Sequence, residues 1–270
     1  MPGPPPPVTD DGGLQARWKR VVPLVRVLGL RELRTRYRQS ALDALWTLIN
    51  PMVVMVVYGV VLHSAFKADG EGIPYLTFSW TGLVLWTFVS TGLGQAMPSL
   101  VASGDLVTKV YFPREAIPLS LIAATVADLG IGLVTVVVVA ALQHVYPTIH
   151  AVAVVVPLLV LVVWVAAIAV LASVLTVFIR DVNHAGQLLL RVGFFATPVM
   201  YAPTALPHWL HWTATVNPVS VCIEGVRTAL LRDRWPDWAL LGAHGSLAVV
   251  LFVAGLAYTR AVESRIPDVV

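Results

Sequence analysis

The chain has 270 residues, of which 57% are hydrophobic and 12% charged, with a mean hydropathy of +0.79 and a net charge of +3. A soluble domain is usually about 45–50% apolar and about 25% charged, so one soluble core cannot bury this composition and a bilayer must solvate much of it. One cysteine, Cys222, excludes an intramolecular disulfide framework and a cysteine-rich metal cluster. Because the apolar runs are long and continuous rather than alternating, we expect an all-α polytopic membrane protein.

The first forty residues combine a proline-rich head with a basic stretch. Residues 1–16 begin MPGPPPPVTDDGG, which is typical of a disordered cytoplasmic tail and carries no apolar core of a signal peptide. Residues 17–40 predict an amphipathic helix in the inner headgroup layer, with leucines on one side and arginines that can meet an anionic headgroup on another. The leucines are Leu24, Leu28, Leu30 and Leu33, and the arginines are Arg31, Arg34, Arg36 and Arg38. A plain positive-inside anchor explains the same pattern equally well.

Six stretches within residues 41–260 are apolar enough to cross a hydrocarbon core, which needs about 20 residues of helix. They are residues 42–66, 74–102, 117–145, 152–179, 186–201 and 238–258. The fifth is short and contains Arg191. Six spans bring both termini to one side, and the basic N-terminal stretch assigns that side to the cytoplasm, together with a tail at residues 261–270. The loop that holds Arg227, Arg232 and Arg234 breaks this rule because the count makes it external.

The segment of residues 204–237 is too polar to span and too apolar for an ordinary loop. The tryptophans in it and beside it are Trp209, Trp212, Trp235 and Trp238. Tryptophan is enriched at membrane interfaces, and Asn217 followed by Pro218 interrupts the segment, so we expect two short re-entrant helices in the outer leaflet. Glu224 and Arg227 are three residues apart on the second helix, which predicts a salt bridge between them.

Sequence motifs for catalysis are absent. The chain contains no G-x-x-x-x-G-K-[ST] phosphate cradle, no H-E-x-x-H and no G-x-S-x-G. We therefore predict no catalytic residue, no cofactor and no metal site, and the chain cannot bind ATP through a P-loop. The net charge of +3 does not indicate nucleic acid as a partner, because the basic residues crowd ahead of the first apolar span.

Several loop segments carry a more specific signal. They are RELRTRYRQS and WTLINP around the start of the first span, SLVASGDLVTKVYFPREAIPLS after the second, FIRDVNHAGQLLLRVGFFATPVMYAP after the fourth, and NPVSVCIEGVR after the fifth. These segments, in this order along the chain, resemble those of the type-2 exporter family of ATP-binding-cassette permeases. The resemblance extends over about residues 20–265. Within the family it is most similar to permeases for lipid-linked polysaccharides such as O-antigen and wall teichoic acid.

The resemblance implies that residues 103–115 form a cytoplasmic coupling loop that contacts the ATPase subunit. The residues carried over are Ser103, Asp105, Lys109, Tyr111, Phe112, Pro113 and Arg114, with Arg180 and Asp181 after the fourth span. Charges beside Tyr111 and Phe112 suit a protein contact, with the aromatic rings as an exposed plug. The plainer interpretation is a solvated loop that only joins two spans.

Polar and aromatic residues inside the spans are candidates for the transport path. Asp128 needs a partner or a watery cavity, for which Arg191 is available; a polar clamp between helices explains it as well as a substrate contact does. Aromatic faces stack on sugar rings, although most single aromatic residues in a membrane protein face lipid or pack in the core. The candidates for lining are Trp46, Tyr58, Trp80, Trp86, Phe88, Phe194 and Phe195.

The resemblance implies a homodimeric channel in the cytoplasmic membrane, with two copies of a P-loop ATPase subunit, which moves a lipid-linked polysaccharide. Two alternatives stay open. One is export of a hydrophobic drug or lipid by the same machinery. The other is a membrane-embedded transferase that acts on lipid-linked sugars, against which the scarcity of paired acids counts.

Overall fold

The computed structural model describes residues 14–39, 53, 72–109, 112–205 and 208–266, and these ranges are mostly helical, which confirms the all-α prediction. The α-helices are α1 (Leu14–Gln39), α2 (Tyr75–Ala96), α3 (Ser99–Ala102), α4 (Gly104–Lys109), α5 (Ala116–Leu142), α6 (Val155–Phe178), α7 (Asp181–Ala196), α8 (Trp212–Val216), α9 (Pro218–Leu231) and α10 (Trp238–Val262). Short 3₁₀ helices cover Ile149–Val154, Pro203–Ala205 and His208–Leu210.

Four helices of the described ranges are long and apolar enough to cross a membrane. They are α2, α5, α6 with its preceding 3₁₀ turn, and α10. These agree with the second, third, fourth and sixth predicted spans, so the chain is a multi-pass membrane protein. The first predicted span, residues 42–66, lies outside the described residues apart from Val53, and the count of six stays a prediction.

Two predicted spans have other boundaries in the structure. The second divides into α2 and α3 at Pro98, because proline has no N–H to continue the helix. The fifth is α7, which begins at Asp181 rather than at residue 186 and ends at Ala196. Its 16 residues are about 24 Å of helix, which is shorter than a hydrocarbon core of about 30 Å.

Helix α6 lies at the centre of the bundle. It packs against α2, α5 and α10, and small buried residues such as Ala167 and Ala169 let those helices approach closely. The core continues into α2 and α9 through residues such as Phe78 and Ile223. Helices α5 and α10 keep apolar side chains exposed, for example Val134 and Val250, so they form the perimeter that lipid can cover.

Helix α1 packs along α5, with Gly29 against the backbone of Ser120. Its outward face mixes cations with apolar side chains, namely Lys19, Arg20, Arg26, Arg31 and Arg34 with Val22, Val27 and Leu30. Two predicted orientations are wrong: Leu30 lies on the exposed basic face, and Arg36 turns inward to acceptors on its own and neighbouring helices. The side chain of Arg38 lies outside the described residues.

The predicted tail from residue 261 is folded at its start. Ile266 is fully buried, and Glu263 accepts a hydrogen bond from Arg17 of α1. Burial of an isoleucine side chain lowers the free energy of the folded state, so this stretch packs on the bundle rather than extending from it.

Candidate functional site

The bundle has two ends with different chemistry. At the first, which we call the loop end, α5 begins, α6 and α10 end, and Arg17 bonds to Glu115 and Glu263. At the second, which we call the re-entrant end, α2 and α10 begin and α7, α8 and α9 meet. The predicted coupling residues lie at the loop end, and residues 204–237 lie at the re-entrant end.

Helices α3 and α4 form the predicted coupling loop. Val101, Ala102, Asp105 and Thr108 are exposed, and Ser103 is half-buried. Asp105 lies in the first turn of α4, where a carboxylate suits the positive end of the helix dipole. The side chain of Lys109 and the whole of Tyr111 lie outside the described residues.

Phe112 and Arg114 differ from the prediction, because both lie inside the chain. Phe112 is 8% exposed and packs with Leu100 and Ile117, and the guanidinium of Arg114 lies 5.2 Å from the centre of its ring. An aromatic ring that this chain already covers cannot serve as an exposed plug. Among the described side chains of this loop, the exposed ones precede Phe112, and Pro113 after it is half-buried.

Arg180 and Asp181 are exposed at the turn between α6 and α7. Asp181 is the first residue of α7, where its charge favours the helix start. Helix α3 packs on α6, so this turn and the coupling loop belong to the same end of the bundle.

A stripe of small and polar residues runs along α2. Every residue from Thr77 to Leu100 is described, and eighteen of these 24 residues are buried. Those that keep access to the surface are Thr87, Ser90, Thr91, Gly94, Gln95 and Pro98. Their spacing of three and four residues puts them on one face of the helix. This arrangement reverses the usual pattern of a membrane helix, whose accessible face is apolar.

Helix α7 lies beside this stripe. Its Gln187 amide donates to the carbonyl oxygen of Gly94 at 3.2 Å, and the rings of Trp86 and Phe194 meet edge to face at 5.9 Å. Gly193 lets the two helices approach, because a Cβ there would lie 3.1 Å from Trp86. We call the stripe of α2 with Gln187, Trp86 and Phe194 the polar seam.

The predicted lining residues separate into three groups. Phe194 is half-buried at the polar seam and Phe195 beside it is 59% exposed, whereas Trp86 meets Phe194 from the core and is 9% exposed. Phe88 and Trp80 are wrong as lining candidates, because both are buried in the core and Trp80 donates to Thr135. Trp46 and Tyr58 lie outside the described residues.

The polar residues of the seam were missed by the sequence analysis, which weighed only aromatic residues and charges. Thr87, Ser90, Thr91 and Gln95 repeat at helical spacing within an apolar span, and that signal was available in the sequence. Gln187 carried no comparable signal, because its partner is a backbone carbonyl.

Asp128 is paired with Arg36 rather than with Arg191. A guanidinium N–H of Arg36 donates to the Asp128 carboxylate at 2.8 Å, and the same guanidinium contacts Glu32 and Gln95. Arg191 is exposed on α7. Asp128 therefore joins α1 to α5 as a polar clamp between helices, which lowers the cost of a carboxylate inside an apolar bundle.

Arg227 forms the centre of the re-entrant end. Its side chain is fully buried and donates to the carbonyl oxygens of Phe78 at 3.0 Å, Pro198 at 2.9 Å and Val199 at 2.5 Å. Its guanidinium also lies 3.5 Å from the centre of the Phe78 ring. The predicted pair with Glu224 is wrong, because Glu224 accepts from Arg232 instead. Internal contacts thus take up two of the three cations that broke the positive-inside rule.

Hydrogen bonds from three separate residues fix the turn of residues 197–201 at this end. Besides the bonds from Arg227, the Tyr75 hydroxyl donates to the Met200 carbonyl at 3.0 Å and the Asn217 amide donates to the Thr197 hydroxyl at 2.9 Å. Buried carbonyl groups outside regular structure need such donors. The Asn217 side chain also caps α9 by accepting from Val219, so it fixes the predicted break between two short helices.

A smaller polar contact joins two loops of the re-entrant end. The Asp233 carboxylate lies 2.5 Å from Nδ1 of His150 and accepts from Thr148. Hydrogen bonds from Thr148 and then from His150 hold the pKa of Asp233 below its usual value. The His150 ring meets Trp235 edge-on at 4.7 Å, and Trp235, like the other three tryptophans predicted for the interface, is exposed.

Within the described ranges, no three His, Cys, Asp or Glu side chains come together in a way that could hold a metal ion. The chemistry of the molecule lies instead in the polar seam, in the exposed loop surface at one end and in the Arg227 contacts at the other.

Comparison with known proteins identifies the family. Residues 23–231 match the family described as ABC-2 type transporter. An O-antigen export system permease protein RfbA from Myxococcus xanthus is 29% identical over 226 residues, covering 83% of this chain and 86% of that protein. A permease of the same name from Klebsiella pneumoniae is 25% identical over 252 residues, with 91% and 94% covered. These matches confirm the resemblance to type-2 exporter permeases, and the chain belongs to the ABC-2 type transporter family.

Proposed function

We propose that this chain is the permease subunit of an exporter that moves a lipid-linked polysaccharide across the cytoplasmic membrane. Two copies form the channel, and ATP is hydrolysed by a separate subunit, also in two copies. The polar seam carries this proposal, because it gives an apolar bundle one face that hydroxyl-rich cargo can follow. The two relatives named as O-antigen export permeases support the choice of cargo.

The polar seam has the chemistry that a glycan requires. The hydroxyl groups of Thr87, Ser90 and Thr91 can donate to and accept from a sugar, and the amide nitrogen of Gln95, whose oxygen accepts from Arg36, can donate to one. The partly exposed ring of Phe194 at the same seam, which packs against the buried Trp86, offers a face on which a sugar ring can stack. Lipid offers this face no hydrogen-bonding partner, whereas a path filled with water and sugar satisfies it.

A second copy completes the path. Helix α7 has no buried residue among its 16, all of which are described, and large apolar side chains such as Leu189 and Phe195 remain exposed. A two-fold axis beside α7 would bring the two seams face to face and cover these side chains. Cysteines at Val192 should then form a disulfide between copies in a Cys222→Ser background. Cysteines at Val253 on α10 should not.

The loop end faces the cytoplasm in this proposal, with six spans and both termini on that side. The exposed cations Lys19, Arg20 and Arg26 of α1 support this orientation. An external thiol reagent should reach a cysteine at Asp233 and fail to reach one at Arg180 or Arg265. The same helix, with Arg31 and Arg34 outward beside Leu30, suits the interface and an anionic lipid carrier headgroup.

The ATPase subunit contacts the exposed part of the coupling loop. Asp105 and Thr108, with Arg180 and Asp181 at the neighbouring turn, are accessible groups of the loop end. In this family the ATPase is a separate subunit, in accord with the missing phosphate cradle in this chain. The purified permease should hydrolyse no ATP by itself, and Asp105→Arg should weaken its assembly with the ATPase.

Deletion of the gene for this chain tests the proposed export of a lipid-linked polysaccharide. Lipid-linked polysaccharide should accumulate inside the cytoplasmic membrane while polysaccharide on intact cells falls, and inactivation of the ATPase should do the same. A deletion strain with normal surface polysaccharide but raised drug sensitivity would favour the drug or lipid exporter. A strain that no longer makes the lipid-linked glycan would favour the transferase.

Obstruction of the seam tests the path itself. Thr91→Trp places a bulky ring on the accessible face of α2, so export should fall while the protein still inserts and binds its ATPase. Val134→Trp on the exposed face of α5 is the matched control and should export normally. Equal export by both variants would remove the polar seam from the path.

A further inference from the structure

Three distant parts of the chain meet at one side chain of the loop end. Arg17 of α1 donates from Nε and Nη2 to the two carboxylate oxygens of Glu115 at 2.7 and 2.8 Å, and from Nη2 to Glu263 at 2.9 Å. The side chains of Arg17, Glu115 and Glu263 are 11%, 2% and 12% exposed. We call these residues the Arg17 triad. The contact of Arg17 with Glu115 is bidentate, which is the geometry in which arginine binds a carboxylate most strongly.

Apolar contacts join the same parts of the chain. Leu100, Phe112, Ile117, Val174, Val177 and Ile266 form one buried cluster at the loop end. Leu24 of α1 and Val262 of α10 pack against it. The same two helices also meet at Trp18 of α1 and Phe252 of α10, whose ring centres lie 6.3 Å apart. Helix α1 and the end of α10 are therefore attached to the loop region by both ionic and apolar contacts.

The position of Glu115 gives these contacts a mechanical consequence. Glu115 directly precedes α5 and directly follows the end of the coupling loop, where Phe112 and Arg114 are buried. A displacement of this stretch must carry Arg17 along or leave a buried carboxylate without its cation, and the second outcome is unfavourable in a weakly polar environment. Hydrogen bonds to Glu115 raise the pKa of Arg17, so the cation persists at every physiological pH.

We propose that Arg17 is a positioning residue for transport, because it makes the end of the coupling loop, helix α1 and the C-terminal end of α10 move as one unit. The C-terminal segment up to Ile266 is then a working part of the loop end rather than a tail. This inference rests on the proposed function, since an ATPase subunit must act on the loop. Arg17 touches no cargo and acts through Glu115 and Glu263.

A distance measurement on the complex of permease and ATPase subunit tests the proposal. Spin labels at Val22→Cys on α1 and Ser264→Cys after α10 occupy exposed positions, in a Cys222→Ser background. With wild-type Arg17, the distance between the labels should stay narrow and unchanged when ATP with vanadate is added. With Arg17→Gln it should broaden and shift with nucleotide. Export per ATP hydrolysed should then fall about tenfold, within the usual range for coupling between distant sites.

Two further variants keep the test independent of folding defects. Glu263→Gln weakens one arm of the Arg17 triad and leaves the contact with Glu115, so it should fold and show the same changes to a smaller degree. The double variant with Arg17→Gln should be no worse than Arg17→Gln alone, because both remove one interaction. Arg265→Gln is the matched control, since this neighbouring cation is exposed, and it should behave as wild type.

The outcomes separate the two proposals. If Arg17→Gln and Glu263→Gln keep the wild-type distance and the wild-type export per ATP, Arg17 has no positioning role and the proposal is overturned while the exporter remains. If the wild-type permease neither binds the ATPase nor responds to nucleotide anywhere in the complex, the proposed function fails and this inference falls with it.

Discussion

Each end of the bundle is organised by one arginine, half-buried at the loop end and fully buried at the re-entrant end, and the two arginines bind different kinds of acceptor. Arg17 at the loop end binds the carboxylates of Glu115 and Glu263, whereas Arg227 at the re-entrant end binds the backbone carbonyls of Phe78, Pro198 and Val199. The carboxylates belong to two separate segments, so the Arg17 contacts join those segments to α1 as one unit. Backbone carbonyls have the positions of the helices and turns themselves, so the Arg227 contacts fix the re-entrant end to the backbone of the bundle.

Removal of the Arg227 guanidinium should produce the largest loss of stability. Arg227→Met leaves three buried carbonyl groups without this donor, and at about 1–3 kcal/mol each we expect a loss of about 4 kcal/mol or more. Arg227→Lys should recover only part of it, because an ammonium is a point charge and not a planar fork. Thermal unfolding of the detergent-solubilised chain measures this.

Arg234→Met is the control for Arg227→Met, because Arg234 is an exposed cation seven residues further on. It should change stability by less than about 0.5 kcal/mol. A loss of under about 1 kcal/mol for Arg227→Met would mean that the re-entrant end is not held by its arginine.

Replacement of the whole Arg17 triad by apolar residues tests how Arg17 differs from Arg227, because the acceptors of Arg17 are side chains that can be replaced with it. Arg17→Met alone leaves the buried Glu115 and the half-buried Glu263 without their cation and should cost about 3 kcal/mol. Changing Glu115 and Glu263 to Met as well should return the stability to within about 1 kcal/mol of wild type, because an apolar core can replace a buried ionic cluster. The same unfolding measurement applies. A triple variant as unstable as Arg17→Met would show that the charges have no apolar substitute here.

A methyl group at Gly82 should strain the re-entrant end more mildly. A Cβ there would collide with the Val199 carbonyl oxygen and with the Arg227 guanidinium, so Gly82→Ala must displace the turn of residues 197–201. We expect a loss of about 2 kcal/mol, in the range of overpacked cores. Gly130→Ala in α5, where a Cβ meets open space, should be neutral or stabilising by up to about 1 kcal/mol. Equal effects of the two substitutions would contradict the close approach.

Acid should weaken the loop contact of Asp233, which is the smallest of these effects. Because the pKa of Asp233 is lowered, the folded loops favour the carboxylate, and the contact is complete above the ordinary aspartate pKa of about 3.9. It is lost as the pH falls through the lower folded value. Trp235 fluorescence, obtained by difference from Trp235→Phe, should report this transition because its ring contacts His150.

Asp233→Asn should abolish that transition in the Trp235 signal. Asp237→Asn should keep it, because asparagine can still cap α10 at the Leu240 amide as Asp237 does. A transition that persists in Asp233→Asn would assign it to another group.

Local pattern was sufficient for most of the helices. Uninterrupted apolar length predicted α2, α5, α6 and α10, because a bilayer demands about 20 apolar residues whatever the neighbours are. Asn217 before Pro218 predicted the start of α9, because a capping side chain and a residue without an N–H act within one turn. Loop motifs predicted the family. Each of these signals is a property of adjacent residues, so the sequence by itself determined them.

Only the tertiary structure decided which groups meet. Asp128 pairs with Arg36 and not Arg191, and Glu224 pairs with Arg232 and not with the closer Arg227. Phe112 is covered by its own chain. The guanidinium of Arg227 donates to backbone carbonyl groups, which no sequence pattern identifies as its acceptors. The physical reason is common to these cases: the free energy of a charge or a ring depends on the helices packed around it, and their adjacency is a global property of the fold.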